Sequence, residues 1–324
     1  MDTGMADIRS IRGRPCLICS AIVAFLGFLL ATASADPIRG YHIGNSLTWG
    51  AVSPGFSDAF QSIGASIQMG YHIRCGSPLE NIVADPSVRC VPAPAPFADW
   101  HTAMTQYTWD YVTLQTHAGT AAGEIQAAID VVTTTTAAGR NSDTRFFVYS
   151  AWPTLSNSLT YRQVRTQSLT SLALNTNAFL GTLHSQLAAS FPTIDIGYIP
   201  AGEVLLQLDD MLRATPVAGL NNAWDLYGDL YHLNDSGRYV AHATMASVLT
   251  GTRPHELAFP ALFNGIDPAF KALANEAIEN VISNDARVMP LPEPEMPSVL
   301  VLVAGATCWY LTSKRVYFAR QSMS

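Results

Sequence analysis

Between residues 38 and 250 the chain repeats one pattern: a short apolar run, a turn, then a longer stretch with apolar residues at helical spacing. This alternation restricts the fold more than any other feature. Strands separated by helices assemble as a parallel sheet, and such a sheet needs helices on both faces. Strands are expected at 38–43, 66–73, 110–116, 145–151 and 194–199. Helices are expected at 53–64, 121–138, 160–190, 201–213, 235–250 and 267–283. The stretch 75–98 contains Pro92, Pro94 and Pro96 and is expected as loop, because proline disrupts both helix and sheet interiors. There is no internal repeat.

The two ends read differently from the interior. Arg9, Arg12 and Arg14 precede an apolar run over 16–31, and Ala33-Ser34-Ala35 follows. That order matches a signal peptide occupying 1–35, with a buried helix or an uncleaved anchor as the alternative. Cys16 and Cys19 lie inside its apolar run. At the other end Pro292-Glu293-Pro294 is followed by an apolar run over 298–311 and then by Lys314, Arg315 and Arg320. The run is short for a bilayer span, and its basic end favours the cytoplasmic side. The expected organisation is a signal peptide (1–35), one domain of about 250 residues (36–285), and a linker with a sorting or transmembrane tail (286–324). An exported protein, in the cell envelope or outside the cell, follows from that organisation. Charged residues make up only 13% of the chain and the net charge is -7. With no interior Lys/Arg cluster, a nucleic-acid partner is not expected. Only Cys75 and Cys90 of the five cysteines fall within the predicted domain. An oxidising compartment permits one disulfide between them, and two free thiols are the alternative.

Two short segments carry the chemistry. Ile43-Gly44-Asn45-Ser46-Leu47-Thr48 stands where the first strand ends, at the sheet edge where α/β folds hold ligands. N–H groups at the start of a following helix favour an oxyanion there. Ser46 or Thr48 as a plain helix cap is the competing reading. Far along the chain comes Asp229-Leu230-Tyr231-His232-Leu233-Asn234. A serine nucleophile needs an adjacent base, usually histidine, and that base needs an acceptor to fix its tautomer. A carboxylate three residues earlier has the reach in a tight turn. Asp225 is a less well spaced alternative.

Together, Gly44-Asn45-Ser46-Leu47 and Asp229-x-x-His232, the latter continuing as Leu233-Asn234-x-x-Gly237, resemble the first and last blocks of SGNH (GDSL-like) hydrolases. The resemblance spans about residues 38–250. It implies a flavodoxin-like three-layer α/β/α sandwich with a parallel sheet and an exported serine esterase with Ser46, His232 and Asp229 as triad. Asn45 stands where the family usually has aspartate, which should alter the turn and spare the nucleophile. For oxyanion donors the resemblance points to the N–H of Ser46 and to Gly76, with Gly70 as a weaker alternative. It also points to the end of the third strand, where the family has Gly-x-Asn and this chain reads Gln115-Thr116-His117. Gln115 and His117 both have donors to offer, and Gln115 satisfying buried backbone is the bland alternative. A strand-end glutamine also occurs in carbohydrate O-acetylesterase relatives, so a small-molecule or carbohydrate ester is the expected substrate. A non-catalytic surface binding protein with the same fold is the rival. The C-terminal pattern is similar to the PEP-CTERM sorting signal of bacterial exported proteins. It implies an exosortase-type partner and transient membrane contact through the tail.

Trp152 follows the fourth strand at the same sheet edge and is expected to line the substrate site. His42 and His72 are placed to line that edge, whereas His101, His184, His242 and His255 are expected as packing or surface residues. Trp100, Trp109 and Trp224 are expected in core or loop packing. No His/Asp/Glu set has metal-ligand spacing, so neither metal nor cofactor is expected.

Overall fold

The computed structural model describes residues 36–137, 139–167 and 175–291. The predicted signal peptide and most of the predicted tail, including its apolar run, lie outside the described residues. From Pro37 onward the described residues belong to one unit.

Five strands form one sheet: β1 (Ile38–Gly44), β2 (Ile67–Ile73), β3 (Tyr111–Leu114), β4 (Arg145–Tyr149) and β5 (Ile196–Ile199). Their order is β2-β1-β3-β4-β5, and every pairing is parallel. The chain runs from β1 to β2 on one side and returns to β3 on the other. That reversal opens a crevice at the carboxyl ends of β1 and β3, the usual ligand position in such sheets.

The helices, in chain order, are α1 (Ser46–Val52), α2 (Phe56–Ser62), α3 (Leu79–Ala84), α4 (Trp100–Gln106), α5 (Ala121–Ala137) and α6 (Tyr161–Arg165). They continue with α7 (Asn177–Ser190), α8 (Ala201–Ala214), α9 (Asp235–Thr250) and α10 (Pro268–Asn284). Tyr111, Phe147 and Tyr149 point into one apolar layer with α1, α2, α8, α9 and α10. Their neighbours Val112, Phe146 and Val148 point into the other, with α3, α4, α5 and α7. Burial on both faces is why these strands read as continuous apolar runs instead of alternating ones. The fold is therefore the expected α/β/α sandwich.

Several element boundaries differ from the sequence expectation. The helix expected at 53–64 is shorter, α2 alone, because Pro54 and the left-handed Gly55 at φ 75° separate it from α1, which precedes that range. The proline-rich stretch expected as loop contains α3. Within the helix expected over 160–190 the described residues form α6 and α7, and Thr166, Gln167, Asn175 and Thr176 are not helical. β3 stops at Leu114, which leaves Gln115 and Thr116 beyond the strand. The threonine run in α5 is accommodated because the hydroxyls of Thr135 and Thr136 donate back to the carbonyls of Val131 and Val132, a bond helical threonines commonly make.

Candidate active site

Ser46 is the first residue of α1. Asn45 caps that helix, its Oδ1 accepting the N–H of Leu47 at 2.9 Å. The Asn45 amide nitrogen donates to the carbonyl of Ser77 at 3.2 Å. An aspartate could not make that second bond, so the asparagine ties the nucleophile turn to the loop after β2. The Asn45 main-chain N–H donates to Gln115 Oε1 at 2.9 Å, and the Thr48 hydroxyl donates to the same oxygen at 3.0 Å. Space is tight here: a Cβ on Gly44 would meet Thr48 Oγ1 at 2.2 Å and Gln115 Oε1 at 2.8 Å. Glycine at the strand end thus lets the β3 exit close onto the serine turn.

His232 arrives from the loop before α9. His232 Nε2 lies 2.9 Å from Ser46 Oγ, across 186 residues of sequence. His232 Nδ1 lies 2.8 Å from Asp229 Oδ2 and 3.1 Å from Oδ1. With the Nδ1 proton donated to the carboxylate, Nε2 is the acceptor that faces the serine hydroxyl. Asp229 Oδ1 also accepts the N–H groups of Tyr231 at 2.7 Å and His232 at 2.8 Å. The Tyr231 N–H first, and then the His232 ring, hold this carboxyl down at about 2. Asp229 is therefore ionised at any ordinary pH, although its side chain is 57% exposed and that of His232 is 48% exposed. Asp225 is not the orienter, since its Oδ2 accepts the N–H groups of Asn221 and Asn222.

The loop that carries Asp229 and His232 is pinned from beneath. Gly228 N–H donates to the His232 carbonyl at 2.8 Å, and Leu155 N–H donates to the Leu230 carbonyl at 2.8 Å. The Trp152 indole N–H donates to the Tyr231 carbonyl at 2.8 Å. Trp152 was expected to line the substrate site, but it is 2% exposed and packed in the core. It is turned into the core and instead holds the loop that carries Asp229 and His232. Behind it, the fully buried Arg165 pairs with Glu203 at 2.9 Å and donates to the Ala151 carbonyl at 2.9 Å. Ser150 and Tyr198 hydroxyls donate to the same Glu203 carboxylate, each at 2.6 Å. This network fixes the exit of β4.

Of the expected oxyanion donors, Gln115 changes role. It is 1% exposed, and the Asn45 N–H fixes which end of its amide is oxygen. Its nitrogen donates to the Thr116 carbonyl at 2.5 Å. Gln115 is a brace beneath the serine turn, because both ends of its amide are committed to buried groups. Gln115→Ala is accordingly expected to strand the Asn45 N–H and to cost about 1–3 kcal/mol of stability, readable by urea denaturation. Gly76 adopts φ 64° in a turn closed by Ser77 N–H on the Arg74 carbonyl at 3.1 Å. It is exposed, and its own N–H has no partner among the described residues. Cys75, beside it, is bonded to Cys90, and Cys90 N–H donates to the Ile73 carbonyl at 2.9 Å. Gly70 lies within β2, where a Cβ would strike the Tyr41 ring at 2.4 Å, so it is a packing glycine. His117 is half-buried, desolvation lowers its pKa, and its Nδ1 has no partner among the described residues.

His42 and His72 do not line the edge. His42 is buried against Thr113 Oγ1 at 2.8 Å, and burial lowers it to about 3. His72 bonds the Val88 carbonyl and accepts the Trp100 N–H. Among the described residues no group of three or more His, Cys, Asp or Glu side chains is placed to hold a metal ion.

Sequence reasoning missed Glu124. It is fully buried on α5, and both of its oxygens accept the N–H of Leu79, at 3.0 and 3.2 Å. The available signal was a carboxylate in register with Ala128, Val131 and Thr135 on the buried face of a helix.

No family model and no curated protein sequence matches the chain. Among solved structures, a DUF4886 family protein from Bacteroides uniformis is similar over 77% of this chain and 96% of its own, at TM-score 0.56 and 21% identity. A candidate SGNH hydrolase from Slackia heliotrinireducens gives TM-score 0.41 at 18% identity, over 65% of this chain and 98% of its own. An extracellular lipase from Streptomyces rimosus gives TM-score 0.29 at 10% identity, over 62% and 94%. At these identities the first likeness speaks for the fold alone.

Proposed function

We propose that this chain is an SGNH-like serine esterase that hydrolyses carboxylic esters through Ser46, His232 and Asp229. The observation that carries the reading is the continuous relay Ser46 Oγ, His232 Nε2, His232 Nδ1, Asp229 Oδ2, with heavy atoms 2.9 Å and 2.8 Å apart. A serine brought from 186 residues away onto the free nitrogen of a carboxylate-bonded histidine is the arrangement that lets a proton move along it. Ser46 Oγ adds to the acyl carbonyl while its proton passes to His232 Nε2. The tetrahedral oxyanion collapses, the alkoxide leaves, and His232 returns the proton to it as the alcohol. Water then gives a proton to His232 and adds to the acyl-serine. Collapse releases the carboxylic acid and restores the serine. Throughout, Asp229 stabilises the imidazolium and keeps the ring turned toward Ser46. The N–H groups of Ser46 and Gly76, with the His117 ring, whose Nδ1 has no partner among the described residues, are the proposed oxyanion donors.

The favoured substrate class is an O-acylated carbohydrate. A polar cleft of 540 Å³ begins beside the catalytic loop, and Leu155, which lines it, bonds Leu230. Its wall combines the Trp224 indole with Ser156, Asn157, Thr160 and Asn222, and it also carries the charged Arg213 and Asp225. An aromatic face beside many hydrogen-bonding groups suits a polyol better than an acyl chain. The N-terminal and C-terminal patterns remain the basis for proposing export, exosortase sorting and transient membrane contact by the tail.

The test is a comparison of acetate release from acetylated xylo-oligosaccharides with hydrolysis of p-nitrophenyl acetate. Both should be turned over. Trp224→Ala should raise KM for the oligosaccharide about tenfold while leaving kcat/KM for the small ester within about twofold, the equivalent of one lost stacking contact. Equal effects on both substrates would remove the cleft from substrate binding. Absence of turnover with any ester would favour a binding protein with this fold.

A further inference from the structure

Two loops frame the nucleophile turn: residues 74–78 after β2, and residues 115–120 after β3. The first reaches the turn through Asn45 Nδ2 on the Ser77 carbonyl, the second through Asn45 N–H on Gln115. Away from the turn, both loops converge on one side chain. α3 begins with Pro78 at its cap position, and no side chain of its own segment caps it. The Glu124 carboxylate, from α5, supplies that cap by accepting the Leu79 N–H with both oxygens. The loop after β3 comes against the same carboxylate at Gly119. The approach is close: a Cβ on Gly119 would lie 2.5 Å from Glu124 Oε1.

We propose that Glu124 is a positioning residue for ester hydrolysis, clamping the Gly76 loop to the His117 loop so that both present their donors to one oxyanion. The inference rests on the esterase reading above. Glu124 itself lies in the core and does not touch substrate. It acts by fixing the relative position of two segments that share no strand or helix. Such a clamp matters because preorganised donors stabilise a transition state only when they are already aimed at it, and an error of about 1 Å can lower turnover about 100-fold.

The clamp also has a titratable handle. Burial first, with the neighbouring Glu80 adding to it, raises Glu124 to about 7, against the lowering effect of the N–H groups that face it. Glu80, from α3, holds the Thr120 N–H and hydroxyl, each at 3.1 Å. His117 flanks the site from the loop. Farther along α5, α4 brings His101, exposed beside the Trp100 ring, and α7 brings His184, bonded to the Ile196 carbonyl. The ionised carboxylate is the stronger acceptor for the loop N–H groups, so the clamp tightens as pH rises through neutrality. Stability moves the opposite way. A carboxyl raised above its ordinary value of 4.5 stabilises the fold fully below that value, and the contribution is lost as pH rises through about 7.

Glu124→Gln keeps the shape, removes the charge and leaves one accepting oxygen. With p-nitrophenyl acetate its kcat should fall about tenfold at pH 8 while KM stays within about twofold, the pattern for an interaction realised in the transition state. Glu124→Asp should recover part of that loss. A lower melting temperature with unchanged kcat would overturn the proposal and leave Glu124 as a structural cap. A second measurement needs neither turnover nor a substitution at Glu124. In the Ser46→Ala protein, the amide protons of Leu79 and Gly119 should titrate with the Glu124 carboxyl carbon at one common midpoint near neutrality. Amide shifts that ignore that carboxyl would overturn the clamp. A parent that hydrolyses no ester but shows the common midpoint would place the failure in the esterase reading and leave the loop coupling intact.

Discussion

Ser46→Ala is expected to reduce kcat for ester hydrolysis by roughly five to six orders of magnitude, and His232→Ala by nearly as much. The double variant should be barely worse than either single one. In the proposed mechanism the hydroxyl and the imidazole perform one event, a proton leaving oxygen as the oxygen attacks. Without Ser46 there is no acyl acceptor, and His232 alone can only assist water. Without His232, the hydroxyl 2.9 Å from the vacated Nε2 position keeps its proton and is a poor nucleophile. Stopped assays with p-nitrophenyl acetate over the same buffer background provide the check. Losses that add on a logarithmic scale would mean that the two residues act independently, which the observed hydrogen bond does not allow.

Asp229→Asn should lower kcat by roughly two to three orders of magnitude, less than the four expected where the orienting aspartate is buried. The carboxylate accepts from Nδ1 and so leaves Nε2 free to accept from Ser46. An asparagine can still accept the Tyr231 and His232 N–H groups through its oxygen, which preserves the loop. Its NH2 then faces Nδ1, forces Nδ1 to accept, and moves the ring proton to Nε2, where it opposes the serine hydroxyl. The loss is moderated because Asp229 is 57% exposed, so water competes for the ring and the charge is screened. Nitrogen NMR of His232 reads the tautomer directly, with a protonated Nδ1 in the parent and a protonated Nε2 in the variant. Asp229 lies at about 2, so no limb of a rate profile between pH 4 and 8 belongs to it. The stability it contributes is present above the ordinary carboxylate value and is lost only as pH falls toward 2.

What the sequence could disclose depended on how local each feature is. The spacing of Asp229 and His232 is a three-residue turn, and Ser46 follows a glycine at a strand end, so both halves of the relay carried their own signal. The strands were legible because burial on two faces leaves continuous apolar runs. Pro54 and Gly55 were visible in the sequence, yet the helix expected from residue 53 ran through both; in the fold it begins only at Phe56, and α1 lies before it. Gln115 and Trp152 were misassigned for a different reason. Each stands at the right sheet edge, and sequence position cannot tell whether a side chain there points toward solvent or back beneath the loop. Trp152 turns inward because the Tyr231 carbonyl, 79 residues away, takes its N–H. Glu124 was invisible because its partners come from two loops that only the folded chain brings together. Its one trace was a charge where an apolar residue belonged.

The central claim is that the hydroxyl of residue 46 is an activated nucleophile. Incubating the purified protein with a fluorophosphonate probe and locating the adduct by peptide mass mapping tests this most directly. The account predicts stoichiometric phosphonylation of Ser46 in the parent, none in Ser46→Ala, and strongly slowed labelling in His232→Ala. A folded parent that stays unmodified, or that carries the adduct on another residue, would contradict it.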